Sequence, residues 1–164
     1  MRRLLLAAML VALAGALVPT VASPAAGGKD LPFSASMSGQ GTVDLLTGQA
    51  HNLLSANATH FGRSTLEEFS QIIPTGPGTF LSVGNLTLTA ANGDQMHGTA
   101  TGPGTTLDGV HFAFSLHAVF TSGTGRFSGA SLTYDVTVHS TTVSVAGTTA
   151  TSVLEASAAG TFSH

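Results

Sequence analysis

The alternation at positions 110–120, VHFAFSLHAVF, constrains the fold of this chain more than any other feature. Every even-numbered residue in this stretch is apolar. Successive side chains of a β-strand point to opposite faces of a sheet, so a period of two predicts a strand with one buried face. The residues expected on the buried face are Phe112, Phe114, Leu116 and Phe120, and those expected outside are His111, Ser115 and His117.

The rest of the chain repeats this kind of pattern between Gly, Pro, Asn and Asp clusters. After a glycine-rich turn, Leu132, Tyr134 and Val136 form a second alternating set that is expected to be buried. Residues 64–73 suit either a short helix or a strand, and the sequence TGPGT, present twice, predicts two similar loops. Further strands are predicted around 33–46, 51–61, 79–90, 94–100 and 143–162. We therefore predict an all-β fold, a small antiparallel β-barrel of about eight strands, with a β-sandwich as the alternative.

The stretch LTLTAANGDQMH, residues 86–97, predicts a hairpin whose register follows from parity. A three-residue loop with Gly93 in the left-handed conformation sets Leu88 opposite Met96, so that like residues face each other. This register places Asp94 on the same face as Leu88 and Met96, at the end of its strand and pointing towards the core.

Arg126 lies in the glycine-rich turn GTGRFSGA and has the same parity as Leu132, which predicts that it also points inward. Asp94 and Arg126 are therefore candidates for a structural ion pair, because a guanidinium and a carboxylate can satisfy each other's hydrogen bonds. Two alternatives stay open: a solvated turn residue, or a ligand-binding pocket in which Arg126 and His60 hold an anionic group.

Three motifs in this order resemble those of a known family. They are ATHFGR at 58–63, LTLTAANGD at 86–94 and GTGRFSGA at 123–130. Together they resemble secreted bacterial proteins of the allene oxide cyclase barrel-like family. The resemblance covers residues 33–162 and implies a small antiparallel barrel related in shape to the plant cyclases and the dirigent proteins.

The resemblance carries over no catalytic residue. The plant cyclases act on an unstable epoxide inside an apolar barrel that holds polar groups, including a glutamate. Here Glu67, Glu68 and Glu155 are the acidic residues of that type, and none lies in a stretch that matches the cyclase site. Fold is inferred from such a likeness more safely than chemistry.

The N-terminus predicts export. Arg2 and Arg3 precede an apolar run at 4–18, which small residues follow up to Ala22. This pattern is typical of a secretory signal peptide. We predict a signal peptide at 1–22, a flexible lead-in at 23–32 and one barrel domain at 33–164, and hence a secreted, periplasmic or extracellular protein.

Charge and residue usage limit the partners. Without the signal peptide, Lys29, Arg63 and Arg126 stand against eight acidic residues, a formal charge of −5. We therefore expect no nucleic-acid partner and, after signal cleavage, no membrane partner. Cysteine is absent, which excludes disulfides and thiolate metal sites. His111 and His117 would be about 20 Å apart along one strand, so we predict no metal site and no cofactor.

Three functions remain open on this sequence. The first is a non-enzymatic barrel whose apolar interior binds a small hydrophobic molecule or is filled by side chains. The second is a cyclase-like or isomerase-like enzyme that acts inside the barrel. The third is a surface or matrix protein that self-associates through the Val- and Thr-rich residues 136–153. The sequence leaves the oligomeric state open.

Overall fold

A computed structural model describes residues 29–164 as one closed barrel of eight antiparallel strands. Each strand pairs with the next along the chain, and the first pairs with the last, which closes the barrel. The elements are β1 (Asp30–Asp44), β2 (Gln49–Ala58), β3 (Gly62–Gly76), β4 (Thr79–Ala90), β5 (Gln95–Thr106), β6 (His111–Gly123), β7 (Ser131–Ala146), β8 (Thr149–Ser163) and a short 3-10 helix (Gly125–Phe127). The predicted antiparallel barrel is confirmed, and the sandwich alternative is excluded.

The period-two pattern faces the barrel interior as predicted. On β6, Leu116 and Phe120 are buried, whereas Phe112 and Phe114 point inward but are only half-buried, because they line a cavity. The outward residues His111, Ser115 and His117 and the buried residues Leu132, Tyr134 and Val136 are also as predicted. The hairpin register is confirmed as well, because Leu88 pairs with Met96 and Gly93 has a positive φ of 87°. Residues 64–73, left open above, belong to strand β3.

Several predicted boundaries differ from the structure. Strand β1 begins at Asp30, so the last residues of the predicted lead-in belong to the barrel, where they pair with β8. The predicted strand 143–162 contains a turn at 147–148, because β7 runs on to Ala146 past an irregularity in its register with β8 at Val143. The predicted signal peptide and most of the lead-in lie outside the described residues.

The second TGPGT segment is a strand, contrary to the loop prediction. Pro103 lies within β5 and pairs with Leu81 of β4, while the register with β6 passes from Thr101 to Gly104. Proline cannot donate a backbone hydrogen bond, so it fits a strand where one ladder is interrupted.

The two ends of the barrel differ in packing. We call the end that carries turns 59–61, 91–94 and 124–130 the closed end, and the end that carries turns 45–48, 77–78, 107–110 and 147–148 the open end. Buried rings fill the closed end, where Phe61 stacks on Phe127 at 4.4 Å and Phe33 stacks on Tyr134 at 5.3 Å between ring centroids. We call this cluster the aromatic plug; its members are Phe33, Phe61, Phe120, Phe127, Tyr134 and Phe162.

Among residues 29–164, no helix is long and apolar enough to cross a membrane.

Candidate functional site

The barrel interior is hollow at the open end. A cavity of about 330 Å³ enters there and runs down to the middle of the barrel, where large buried side chains begin. We call this cavity the cup. Its apolar wall consists of Ile72, Phe80, Phe112, Phe114, Leu116, Val138 and Leu154, and its polar groups include Asn52, Glu68, Ser70, Ser82, Ser140 and Ser152. The aromatic plug blocks the opposite end, so the cup has one mouth.

Small inward residues create the cup. At this end the inward positions of four strands hold serine, whereas nearer the closed end the same strands carry larger inward side chains, among them Leu66, Leu88, Leu132 and Phe162. Gly104 contributes in the same way, because a Cβ there would overlap the ring of Phe114. The Phe114 ring therefore lies flat against β5 and leaves the centre of the barrel free.

Glu68 is an acidic side chain inside the barrel, with only 8% of its surface exposed. Its Oε2 accepts a hydrogen bond of 3.0 Å from Nδ2 of Asn52 on the neighbouring strand. Gly41 makes room for this contact, since a Cβ there would overlap the Asn52 amide. Buried charge is costly unless it is paired. The Asn52 amide provides one partner, and the other face of the carboxylate borders the cup and the void below it.

The cup also contains a buried serine hydroxyl, that of Ser70. Ser70 is buried, lines the cup, and its Oγ makes no hydrogen bond within residues 29–164. Leaving a buried hydroxyl unpaired costs about 1–3 kcal/mol. An unpaired hydroxyl and a carboxylate with spare acceptor capacity therefore lie in one apolar cavity.

Tyr134 lies below the cup. A void of about 30 Å³ separates the cup from the aromatic plug and is lined by both Glu68 and Tyr134. Burial raises the pKa of the Tyr134 hydroxyl above its usual value, and the charge of Glu68 raises it further. The phenol therefore stays protonated and remains able to donate a hydrogen bond.

The predicted site residues lie at the other end of the barrel. Arg126 and Asp94 do come together: Nε of Arg126 is 3.8 Å from Oδ2 of Asp94, and the backbone N–H of Arg126 donates to the same oxygen at 3.2 Å. The guanidinium also lies 4.7 Å from the centroid of the Phe127 ring. The carboxylate thus holds the backbone of the 3-10 helix as well as the arginine side chain.

The prediction that Arg126 points inward is wrong. Its side chain is 48% exposed, and that of Asp94 is 21% exposed. The 3-10 helix interrupts the period of two after β6, and Phe127 takes the buried position instead. The face on which Arg126 lies therefore cannot be inferred by counting residues back from Leu132 across this turn. The pair is a partly exposed one at the closed end, and exposed ion pairs contribute little to stability.

His60 also lies at the closed end. It occupies the turn after β2 with a positive φ of 68°, and its Nε2 is 2.9 Å from the carbonyl oxygen of Pro32. Its ring stacks on Phe162 at 5.4 Å. His60 and Arg126 do line one open depression, of about 450 Å³, together with Lys29 and His164.

We expect Arg126→Ala to lower the free energy of unfolding by no more than about 1 kcal/mol, because the ion pair is exposed. Asp94→Ala is expected to cost more, about 1–2 kcal/mol, since it also removes the acceptor of a backbone N–H. Urea unfolding of both single variants and the double variant measures the two costs and their coupling. A loss of about 3 kcal/mol for Arg126→Ala would mean that the pair is buried in solution.

Comparison with protein-family models, curated proteins and solved structures gives no match for this chain. Of the cup and the depression at the closed end, the cup combines an apolar wall with a buried carboxylate and hydroxyl groups. Within residues 29–164, no three histidine or acidic side chains lie close enough together to hold a metal ion.

Sequence reasoning missed Glu68 and Ser70 as site residues. Leu66 and Phe69 on the same strand have opposite parity, so the pattern alone does not say which face is buried. In the structure Leu66 is buried and Phe69 is exposed on the outer wall. Once Leu66 is known to point inward, the two-residue period also places Glu68 and Ser70 on the inner face. The sequence pattern identifies them as interior residues only with that knowledge.

Proposed function

We propose that this protein binds a small, mainly apolar, uncharged molecule in the cup. The observation that carries the proposal is a single-mouthed apolar cavity that contains a buried carboxylate and an unpaired buried hydroxyl. Small-molecule sites are concave, mostly apolar and have a few convergent polar groups. The cup volume of about 330 Å³ lies at the lower end of the range for such sites.

The polar groups indicate the chemistry of the ligand. The Glu68 carboxylate repels an anion and accepts a hydrogen bond, while the Ser70 hydroxyl can donate or accept one. A neutral molecule with a hydroxyl or amine group attached to an apolar body satisfies both. A fatty acid is disfavoured, because its carboxylate and that of Glu68 would repel each other strongly inside an apolar cavity.

We also propose that the protein is exported and that it belongs to the family its motifs resemble. The N-terminal pattern supports a secreted or periplasmic protein, and the three motifs support membership of the allene oxide cyclase barrel-like family. A closed eight-stranded barrel is the fold that this resemblance implies.

A second candidate function is proton-transfer catalysis in the cup, as in a cyclase or isomerase. The observation that favours it is the position of Glu68, which is the only acidic residue among the described residues that line the cup. A carboxylate in a water-poor cavity can act as a general base or stabilise a developing positive charge. Tyr134 lies on the other side of the small void, and its protonated phenol remains a hydrogen-bond donor there.

Self-association through strand edges has less support. Residues 136–153 belong to β7 and β8, which pair with each other and with β6 and β1. Barrel closure removes the free strand edge on which such pairing depends.

A fluorescence titration with phenylnaphthylamine tests the proposal, because this neutral probe combines apolar rings with one N–H donor. We expect saturable binding to the exported protein. Ser152→Phe should weaken it by about tenfold or more by filling the cup. Thr151→Phe is the matched control, since Thr151 is the outward neighbour on the same strand. Equal binding by both variants would place the probe outside the cup.

Glu68→Gln separates the two candidate functions. The substitution keeps the shape of the side chain but removes its charge, so we expect probe affinity to fall only several-fold. Mass spectrometry of molecules that co-purify with the wild-type protein identifies a natural ligand. If the protein converts that ligand and Glu68→Gln abolishes conversion while binding persists, the catalytic candidate is correct; binding without conversion supports the first function.

A further inference from the structure

Large apolar side chains surround the mouth of the cup and point into solvent. The five most exposed ones of the described chain all lie at the open end, led by Leu46 at 81% and Leu107 at 75%. We call this set the rim. It consists of Leu45, Leu46, Leu107, Val110, Val143 and Val145.

The closed end is different. Its turns present polar groups, among them His60, Asn92, Asp94 and Arg126, and none of the exposed large apolar side chains of residues 29–164 lies in them. Isolated exposed apolar residues are ordinary on protein surfaces, but a cluster at one end indicates a contact surface.

We infer that the rim docks on the surface of a zwitterionic lipid bilayer, so that a lipophilic ligand moves between the bilayer and the cup. The transfer step rests on the proposed function. The docking step rests on the rim alone.

The rim and the cup form one continuous apolar surface. Leu45 and Val145 are exposed at the rim and also line the cup. A molecule that leaves the bilayer under the rim would therefore pass along aliphatic side chains into the cavity without crossing water. A docked rim also shields the cup mouth from solvent, which lowers the cost of exposing an apolar ligand.

The backbone N–H groups of the three rim leucines are already hydrogen bonded. Leu45 N–H donates to the carbonyl oxygen of Thr148 at 2.7 Å, and Leu107 N–H donates to that of His111 at 2.9 Å. Leu46 N–H donates to the side chain of Asp44 at 2.8 Å. Inserting an unpaired backbone N–H into an apolar phase costs free energy. The N–H groups of Leu45, Leu46 and Leu107 are paired and avoid this cost.

The charges at this end favour a zwitterionic surface. The rim turns 45–48 and 107–110 contain no lysine or arginine, so an anionic bilayer has no counter-charge to meet. Asp44 and Asp108 cap the two turns, and backbone N–H groups lower the pKa of both carboxyls, that of Asp108 to about 2. Both carboxylates stay ionised and repel anionic lipid. The negative net charge, from which the sequence predicts no membrane partner, disfavours anionic membranes but not zwitterionic ones.

Side-chain type favours lipid over a protein partner. Protein interfaces depend on aromatic and arginine anchors that fill complementary pockets. The rim has only leucine and valine, on three separate segments around the mouth. Aliphatic tips on separate turns suit a fluid hydrocarbon layer, which needs no fixed complementary shape.

Flotation with phosphatidylcholine vesicles tests the docking step. We expect the wild-type protein to partition onto the vesicles, and the double variant L46S/L107S to lose about tenfold or more of its partition coefficient. The matched control is L53S/V83S, which removes two exposed apolar side chains from the outer wall. It should partition like the wild type. Adding anionic phosphatidylglycerol should lower the partitioning of the wild type.

Three results decide between this inference and the proposed function. If L46S/L107S keeps its affinity for phenylnaphthylamine in vesicle-free buffer but takes the probe up more slowly from vesicles, docking and transfer are both supported. If the wild type binds the probe but not vesicles, the inference is overturned and the proposed function stands. If the wild type forms a concentration-dependent dimer that L46S/L107S abolishes, without vesicle binding, the rim is an interface between copies and the inference is overturned.

Discussion

Phe120→Ala is expected to lower the free energy of unfolding by about 3–5 kcal/mol. Phe120 is fully buried in the aromatic plug, where its ring centroid is 5.7 Å from that of Tyr134. Its partner across the sheet is Gly98, and a Cβ there would lie 2.7 Å from Cγ of Phe120, so the ring fills its space closely. Because small domains are stable by only about 5–15 kcal/mol, this single change removes a large share of the total.

Phe112→Ala is the matched control for Phe120→Ala. Phe112 lies on the same strand and the same inward face but borders the cup, with its ring centroid 6.1 Å from that of Phe80. Less contact is lost there, so we expect a cost below half that of Phe120→Ala. Urea unfolding compares the two variants. Equal losses would mean that the open end is packed as tightly in solution as the closed end.

Gly125→Ala is expected to cost about 2–5 kcal/mol. Gly125 has a positive φ of 53°, which strains any residue with a Cβ by about 1–2 kcal/mol. A Cβ at this position would also overlap the carboxylate of Asp94, and overpacking of this kind costs about 1–3 kcal/mol more. The glycine therefore permits the close approach of the 91–94 turn to the 124–130 turn.

Gly129→Ala separates the two causes of that loss. Gly129 also has a positive φ, of 81°, but a Cβ there would meet no atom within 4 Å. Gly129→Ala should therefore lower the free energy of unfolding by about 1–2 kcal/mol, which is the backbone strain alone. Asp94→Ala in the Gly125→Ala background removes the overlap, so the double variant should be more stable than the sum of the single losses predicts. Strictly additive losses would show that the two turns do not touch as described.

Much of the fold could be predicted from local patterns. The alternation at 110–120 and at 132–136 identified two inward faces, and pairing like with like identified the register of Leu88 with Met96. Both depend on the fixed two-residue period of a strand, which needs no knowledge of distant residues. The patterns failed where the backbone leaves that period, as at the 3-10 helix around Arg126 and at Pro103 in β5.

The candidate site was harder to predict than the fold. The sequence drew attention to Arg126, Asp94 and His60, because charged groups are rare in this chain and stand beside glycine turns. The structure places all three at the closed end, where Asp94 and Arg126 hold two turns together. The sequence distinguishes Glu68 from Glu67 and Glu155 by no matching motif, and its strand could be read with either face inward.

The sequence by itself determined the strand content, the alternation that separates an inside from an outside, and the tight hairpin at 91–93. Only the tertiary structure decided that the inside is filled at one end and hollow at the other. The physical reason is that a cavity depends on the summed volume of inward side chains from all eight strands at one level of the barrel. Which residues share a level follows from the register and closure of the whole sheet. The serines, Gly104 and Glu68 come from five different strands, and they form a cup only because β1 pairs with β8.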